Sequence, residues 1–176
     1  RRNATMNETD LTLEFLGKGN SLPPFSAREC IQTLTPLPQG TLRRTINGVL
    51  VHIGNKGHRK FQSTISCKDK ASPALDGIWK GDLVKVGCIQ SLIQTVAEGR
   101  GRIQLEREAV SLALYDGKGK IWRVEKEEDR WISFSSEFPG GFIGYRPLLT
   151  MVVKNYHLET DEWNLSVGWS LELEEV

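Results

Sequence analysis

The sequence has few of the residues that catalytic and metal sites usually require. It contains 3 cysteines and 3 histidines among 176 residues. The cysteines, Cys30, Cys67 and Cys88, form neither an even disulfide set nor a Cys-x-x-Cys pair of the kind that binds zinc. We therefore expect three reduced and mostly buried thiols, because a free cysteine behaves as a small hydrophobic residue.

An excess of one charge and long hydrophobic runs are also missing. The 23 Lys and Arg residues nearly balance 22 Asp and Glu residues, which leaves a net charge of +1. So small a charge gives no overall field that would attract nucleic acid or an anionic membrane. No apolar run approaches the roughly 20 residues that span a bilayer, and no signal peptide is visible. We expect a soluble protein that recognises neither nucleic-acid sequence nor membrane.

What the sequence does contain is enough apolar material for a packed core. Hydrophobic residues make up 39% and charged residues 26% of the chain, proportions typical of a globular protein. The length is typical of one domain. We interpret residues 1–9 as a flexible N-terminal segment and residues 10–176 as a single β-rich domain. Arg1–Thr5 precede Met6 and lack the pattern of the later chain, so they do not enter the fold argument.

Alternating apolar and polar residues predict strands, and 17 glycines and 7 prolines divide them. Leu11, Leu13 and Phe15 share one face of the first predicted strand. Further strands are predicted at 30–34, 61–67, 84–88, 110–114, 121–122, 131–134, 148–156 and 163–173. This pattern indicates a mainly β fold, an antiparallel barrel or sandwich of eight to ten strands, with at most one short helix and extended arms or loops.

A hairpin over Leu42–Ile53 is the clearest local signal. Asn47-Gly48 suits a type I′ turn between β-branched runs, which would pair Thr45-Ile46 with Val49-Leu50. Residues 97–107 have a weak pattern that favours a mobile loop or extended arm. The charged residues 125–130 indicate a solvated turn.

The residues that carry chemistry elsewhere form no recognisable catalytic set. His52 and His58 flank a loop, but no carboxylate or cysteine close in sequence offers a third metal ligand. The acidic residues Glu159, Asp161 and Glu162 lack the spacing of a calcium loop, so we expect a solvated turn there. We predict no catalytic residue, no metal and no cofactor, and hence a protein that is not an enzyme.

Three segments are candidates for contact with another subunit. Trp163 and Trp169 lie six positions apart in the sequence. This even separation predicts that they share one strand face, which Leu171 and Leu173 extend to the chain end. Such a face is either core or the edge of a sheet that pairs with a neighbour. The first strand could act as an exchanged arm, and residues 99–102 form a basic loop. The predicted subunit-interface residues are Leu11, Leu13, Phe15, Arg100, Arg102, Leu171 and Leu173.

Runs spread over most of the chain resemble a group of small structural proteins of tailed bacteriophages. They are Phe25–Arg28, Gln32–Leu34, Leu42–Gly48, Lys60-Phe61, Ser63–Cys67, Pro73–Trp79, Tyr145–Pro147, Asp161–Trp163 and Trp169–Leu171. The resemblance implies a non-enzymatic virion protein in the tail, tail tip or baseplate, assembled in the host bacterial cytoplasm. Its implied partners are other virion proteins and further copies of the same chain.

Three other functions are open at this point. A capsid decoration protein would share the same virion setting. A carbohydrate-binding module of a host-adsorption device would stack sugars on exposed tryptophans, for which Trp79 and Trp131 are the candidates. A hydrolase of cell-envelope polymers would need a carboxylate pair, and no pair with a distinctive context is present.

Overall fold

The computed structural model describes residues 9–38, 40–54 and 59–176. These residues form antiparallel strands and no helix, which confirms the prediction of a mainly β fold. Within these ranges there is accordingly no helix long and apolar enough to cross a membrane. The predicted flexible segment 1–9 lies outside the described residues except for Thr9.

The described residues contain more strands than the eight to ten predicted. They are β1 (Thr12–Phe15), β2 (Gly19–Asn20), β3 (Ile31–Pro36), β4 (Thr41–Arg44), β5 (Leu50–Ile53), β6 (Phe61–Asp69), β7 (Leu83–Gly87), β8 (Leu92–Val96), β9 (Arg102–Gln104), β10 (Ala109–Asp116), β11 (Ile121–Trp122), β12 (Val124–Glu128), β13 (Trp131–Phe134), β14 (Gly141–Asp161) and β15 (Ser166–Glu175).

The 21-residue strand β14 organises the largest sheet. Its first third pairs with β8 on one side and β10 on the other, and its later part pairs with β7 and β15. The main path runs β2-β1-β7-β14-β15-β6-β3. A separate sheet has the order β12-β13-β9, and β4 and β5 form a third. A single strand therefore connects most of the fold.

Two hydrophobic cores lie along β14. The first is formed mainly by alternate residues of β1, β6, β7, β15 and the later part of β14, including Leu13, Ile65, Val86, Met151 and Leu171. The second lies between the first part of β14, β10 and the β12-β13-β9 sheet. The alternation predicted for residues 61–67 and 84–88 is confirmed, because Ser63, Ile65, Cys67, Val84, Val86 and Cys88 are all buried.

Five predicted interface residues belong to the first core. Leu11, Leu13 and Phe15 are buried, and β1 pairs with β7 within the same chain. Leu171 and Leu173 are buried too, because β15 lies between β14 and β6 and has no free edge. Within one chain these five side chains therefore line the core, and their role in a subunit contact stays a prediction. Alternation alone cannot tell a face that meets its own core from one that meets a neighbour.

Three local predictions also need correction. Residues 97–107 include strand β9, and residues 125–130 include most of β12, because the β12-β13-β9 sheet pairs segments whose own pattern is weak. Trp163 does not share a face with Trp169. Strand β15 begins at Ser166, and Trp163 lies 94% exposed in the turn before it.

Trp169 is buried to 2% exposure in the first core. Its indole nitrogen donates a hydrogen bond of 2.7 Å to the backbone carbonyl of Ser26. This bond satisfies the polar atom that burial of a tryptophan would otherwise leave unpaired. The ring thereby joins β15 to the segment that precedes β3.

Trp169→Ala is expected to lower the free energy of unfolding by about 3–5 kcal/mol, because it removes a large buried ring and leaves a cavity. Urea denaturation followed by circular dichroism measures the change. The matched control is Trp163→Ala, which removes an exposed ring and should change stability by less than about 0.5 kcal/mol. Equal losses for the two variants would contradict this placement.

Candidate assembly site: a projecting hairpin arm

A two-stranded hairpin projects from the body between β3 and β6. Every described residue from Gly40 to Gly54 is exposed, and β4 and β5 pair only with each other among the described strands. We call residues 40–54 the arm. It continues the antiparallel β3–β6 pair, in which Pro36 lies opposite Phe61 and the Leu37 amide donates to the Lys60 carbonyl at 2.8 Å.

The hairpin is present as predicted, but its turn and register are different. Thr45 and Val49 bracket a three-residue loop, with Thr45 N–H donating to the Val49 carbonyl at 2.9 Å. Gly48 has a φ of 79°, whereas Asn47 has no positive φ, so the turn is not type I′. Arg44 therefore pairs with Leu50, and Thr45 does not. The dipeptide indicated the turn but not its length.

The base of the arm requires a close backbone approach. Gly40 has a φ of 78°, and a Cβ placed on it would overlap the carbonyl oxygen of Ile53. Only glycine fits both conditions without strain. The two strands of the arm thus lie close together at Gly40 and Ile53.

The arm exposes apolar side chains on both faces. Six large hydrophobic residues are exposed along it: Leu42, Ile46, Val49, Leu50, Val51 and Ile53. The residues of β5 alternate, so Val51 and Ile53 share one face and Leu50 lies on the other. An isolated two-stranded hairpin is at best marginally stable in water. The arm therefore has the properties of an element that packs against another molecule.

A buried ion pair holds the root of the arm. Glu175 accepts hydrogen bonds from the Phe61 amide at 2.9 Å and from Nε of Arg107 at 2.9 Å. Arg107 also donates to the Arg59 carbonyl at 3.0 Å, and its guanidinium lies over the Phe61 ring. The side chains of Arg107 and Glu175 are only 13% and 10% exposed. The C-terminal strand and the segment just before β10 are thereby tied to Arg59–Phe61, which we call the root of the arm.

Electrostatics favour the charged form of this pair. Burial by itself lowers the pKa of Arg107, but the hydrogen bonds and charge of Glu175 outweigh burial and raise the pKa overall. Arg107 therefore keeps its positive charge at neutral pH. Loss of either partner would leave a nearly buried charge without compensation.

The far end of the β14–β15 hairpin is a second exposed element, with the opposite charge. We call residues 157–166 the acidic tip. Its carboxylates are Glu159, Asp161 and Glu162, and it contains no Lys or Arg. Trp163, Leu165 and Leu158 are exposed on it.

Asp161 shapes the acidic tip. Its carboxylate accepts hydrogen bonds from the backbone amides of Trp163 and Asn164 and from the Asn164 side chain. The bonds with Asn164 are the main cause that lowers the pKa of Asp161, and Lys68 lowers it slightly further. Asp161 is thus engaged within the turn, whereas Glu159 and Glu162 extend into solvent.

The charge pattern that marks these two elements is visible in the sequence but hidden by the net charge. Residues 30–68 contain six Lys and Arg residues and no Asp or Glu. Residues 155–176 contain six Asp and Glu residues and no Lys or Arg. A count by segment reveals this opposition, which a net charge of +1 for the whole chain conceals.

The basic loop residues lie on another part of the surface. Arg100 is exposed, and the Arg102 guanidinium stacks on the Trp131 ring at 3.9 Å. One face of Trp131 is therefore occupied by a cation, while Trp79 is 71% exposed. The interface role of Arg100 and Arg102 stays a prediction.

A further apolar surface is the outer face of the β8-β14-β10-β11 part of the large sheet. Ile93, Phe142 and Ile121 are exposed on it, and the ring of Tyr115 packs against Phe142 at 5.7 Å. Tyr115 pairs with both Phe142 and Ile121, and Ile93 lies in the next row of side chains on the same face of the sheet.

The described residues contain no group of three or more His, Cys, Asp and Glu side chains that could hold a metal ion. His52 is exposed on β5, and His58 lies outside the described residues. The three cysteines are free thiols, with Cys67 and Cys88 buried and Cys30 half-buried. Burial raises the pKa of Cys88 to about 11 and also raises the pKa of Cys30, which keeps both protonated at neutral pH.

Comparison with models of known protein families and with curated proteins found no match to this chain.

Arg107→Met is expected to lower the free energy of unfolding by about 2–3 kcal/mol, because it leaves the Glu175 carboxylate nearly buried and without its cation. Glu175→Gln should have a similar effect. The double variant should lose at least about 1 kcal/mol less than the sum of the two, since one interaction is removed twice. Urea denaturation of the four proteins measures this coupling.

The control for this comparison of single and double variants is the exposed pair Lys126–Glu128, whose side chains are both 69% exposed. Lys126→Met should change stability by no more than about 0.5 kcal/mol. Purely additive losses at Arg107 and Glu175 would show that the root pair is not a coupled unit.

Proposed function

We propose that this protein is a structural subunit that assembles in several copies, with the arm as its main contact element. The observation that carries the proposal is the run of exposed residues from Gly40 to Gly54 with its six large hydrophobic side chains. Exposed apolar surface of this kind typically marks a protein contact. Residues so placed contribute nothing to the core of their own chain.

The hairpin structure of the arm supports the same proposal. Strands β4 and β5 form a paired ladder that is closed by the Thr45–Val49 backbone bond. A contact element that is already folded as a hairpin loses less conformational entropy on binding than a free peptide does. The arm thus presents its apolar side chains in a defined local register.

The setting proposed for the assembly is a tailed bacteriophage virion, in the tail, tail tip or baseplate. The resemblance of the sequence to small phage structural proteins supports this part, and the arm supports the assembly itself. A capsid decoration protein would use the same arm. The carbohydrate-binding alternative is supported only by Trp79, because Arg102 covers one face of Trp131.

The double variant Ile46→Asp, Leu50→Asp is expected to keep its fold and lose self-association. Both side chains are exposed, so their replacement removes no core contact, but it places charge on the contact surface. Sedimentation velocity over a range of protein concentrations measures association, and thermal melting checks the fold. The matched control is Leu16→Asp, an exposed leucine outside the arm, which should associate like the unmodified chain.

If the arm variant associates as strongly as the unmodified protein, the proposed role of the arm is wrong. A monomer at every concentration of the unmodified chain would also contradict self-assembly.

The virion setting has its own test. Purified phage particles from a host that expresses the chain should contain the polypeptide in several copies, detected by quantitative mass spectrometry of separated heads and tails. Recovery with tails supports the tail or baseplate, and recovery with heads supports a decoration protein. Absence from intact particles rejects both.

A further inference from the structure

The arm and the acidic tip leave opposite ends of the same group of strands. Strand β6 begins at Phe61, next to the arm, and ends at Asp69, where it pairs with Val167 of β15 at the base of the acidic tip. Eight residue steps of about 3.3 Å separate these ends by about 26 Å. The arm and the acidic tip are therefore attached at opposite ends of this group of strands.

The two elements are complementary in charge and alike in hydrophobicity. The arm carries Arg43 and Arg44 and no acidic residue, while the tip carries three carboxylates and no Lys or Arg. Both also expose large apolar side chains, Ile46 and Leu50 on the arm and Trp163 and Leu165 on the tip. A contact between them would bury apolar surface at its centre and pair opposite charges around it, as protein interfaces commonly do.

We propose that the acidic tip of one copy is the docking site for the arm of a second copy. The inference rests on the proposed function, since it names the partner surface of the same arm. The contact joins different surfaces of the two molecules, so every bound copy still offers one free arm and one free tip. Such head-to-tail contacts build rings when the rotation closes and filaments when it does not.

The charged side chains needed for this contact are accessible. The side chains of His157 and Glu159 are 70% and 80% exposed, and Glu162 is exposed beside Trp163. On the arm, Arg44 donates to the Gly48 carbonyl at 3.0 Å, which places its positive charge next to the turn. The positive and negative groups therefore lie near the outer ends of their hairpins.

The test is reversal of charge on each side, alone and in mixture. Arg43→Glu, Arg44→Glu gives an acidic arm, and Glu159→Lys, Glu162→Lys gives a basic tip. Each variant of the full chain should self-associate at least about tenfold more weakly than the unmodified protein, because like charges then face each other. An equimolar mixture should recover association, since the acidic arm of one variant matches the basic tip of the other.

Two controls alter net charge equally at other exposed sites. Lys118→Glu, Lys120→Glu matches the arm reversal, and Glu125→Lys, Glu127→Lys matches the tip reversal. Both should associate like the unmodified protein. Association of the unmodified protein should also weaken as salt is raised, because the distance over which exposed charges interact falls from about 10 Å at 0.1 M salt to about 3 Å at 1 M. Circular dichroism confirms that each variant is folded.

The possible outcomes separate this inference from the proposed function. Loss of association by both reversals with recovery in the mixture supports arm-to-tip docking. If the arm reversal weakens association and the tip reversal does not, the arm docks elsewhere, for example on the outer face around Phe142, and the inference is overturned. If neither reversal matters but Ile46→Asp, Leu50→Asp abolishes association, only the inference is overturned. If all variants associate normally, both are overturned.

Discussion

The antiparallel pairing of β15 with β6 is the interaction on which the rest of the molecule depends. It buries Trp169, Leu171 and Leu173 of β15 in the first core beside Ile65 and Cys67 of β6. The same pairing places Glu175 at the root of the arm. Because this antiparallel ladder is continuous, Glu175 and Phe61 lie at one end of the sheet, and the acidic tip lies at the other.

This arrangement explains how an exposed hairpin remains a defined structural element. A two-stranded ribbon gains little from its own contacts, since each residue it orders loses about 1–2 kcal/mol of backbone conformational entropy. The sheet fixes the chain on both sides of the hairpin, at Pro36-Leu37 and at Arg59–Phe61, where the Arg107–Glu175 pair contributes. Within the hairpin, the β4–β5 register sets which apolar residues share a face.

Basic and acidic residues are concentrated in different segments of the chain, so the two ends of the strand group differ in charge. Of the six basic residues in segment 30–68, Arg43 and Arg44 lie on the arm, at one end of the strand group. Of the six acidic residues in segment 155–176, three lie on the acidic tip at the other end, and the other three lie on β15. A molecule with this distribution interacts more favourably with a copy arranged head to tail than with one arranged head to head.

The amino-acid sequence by itself determined the class of fold, the alternation of β6 and β7, and the presence of the hairpin around Asn47-Gly48, because these depend on side-chain period and turn chemistry between residues close along the chain. Only the tertiary structure decided which apolar faces are internal. Leu13 and Leu171 have the same alternating pattern as an interface strand, yet pairing with distant strands buries them, whereas Leu50 and Ile46 find no such neighbour. The segments of β9 and β12 have a weak alternating pattern, yet both form strands because their backbones pair with β13. This pairing supplies an order that their own residues do not specify.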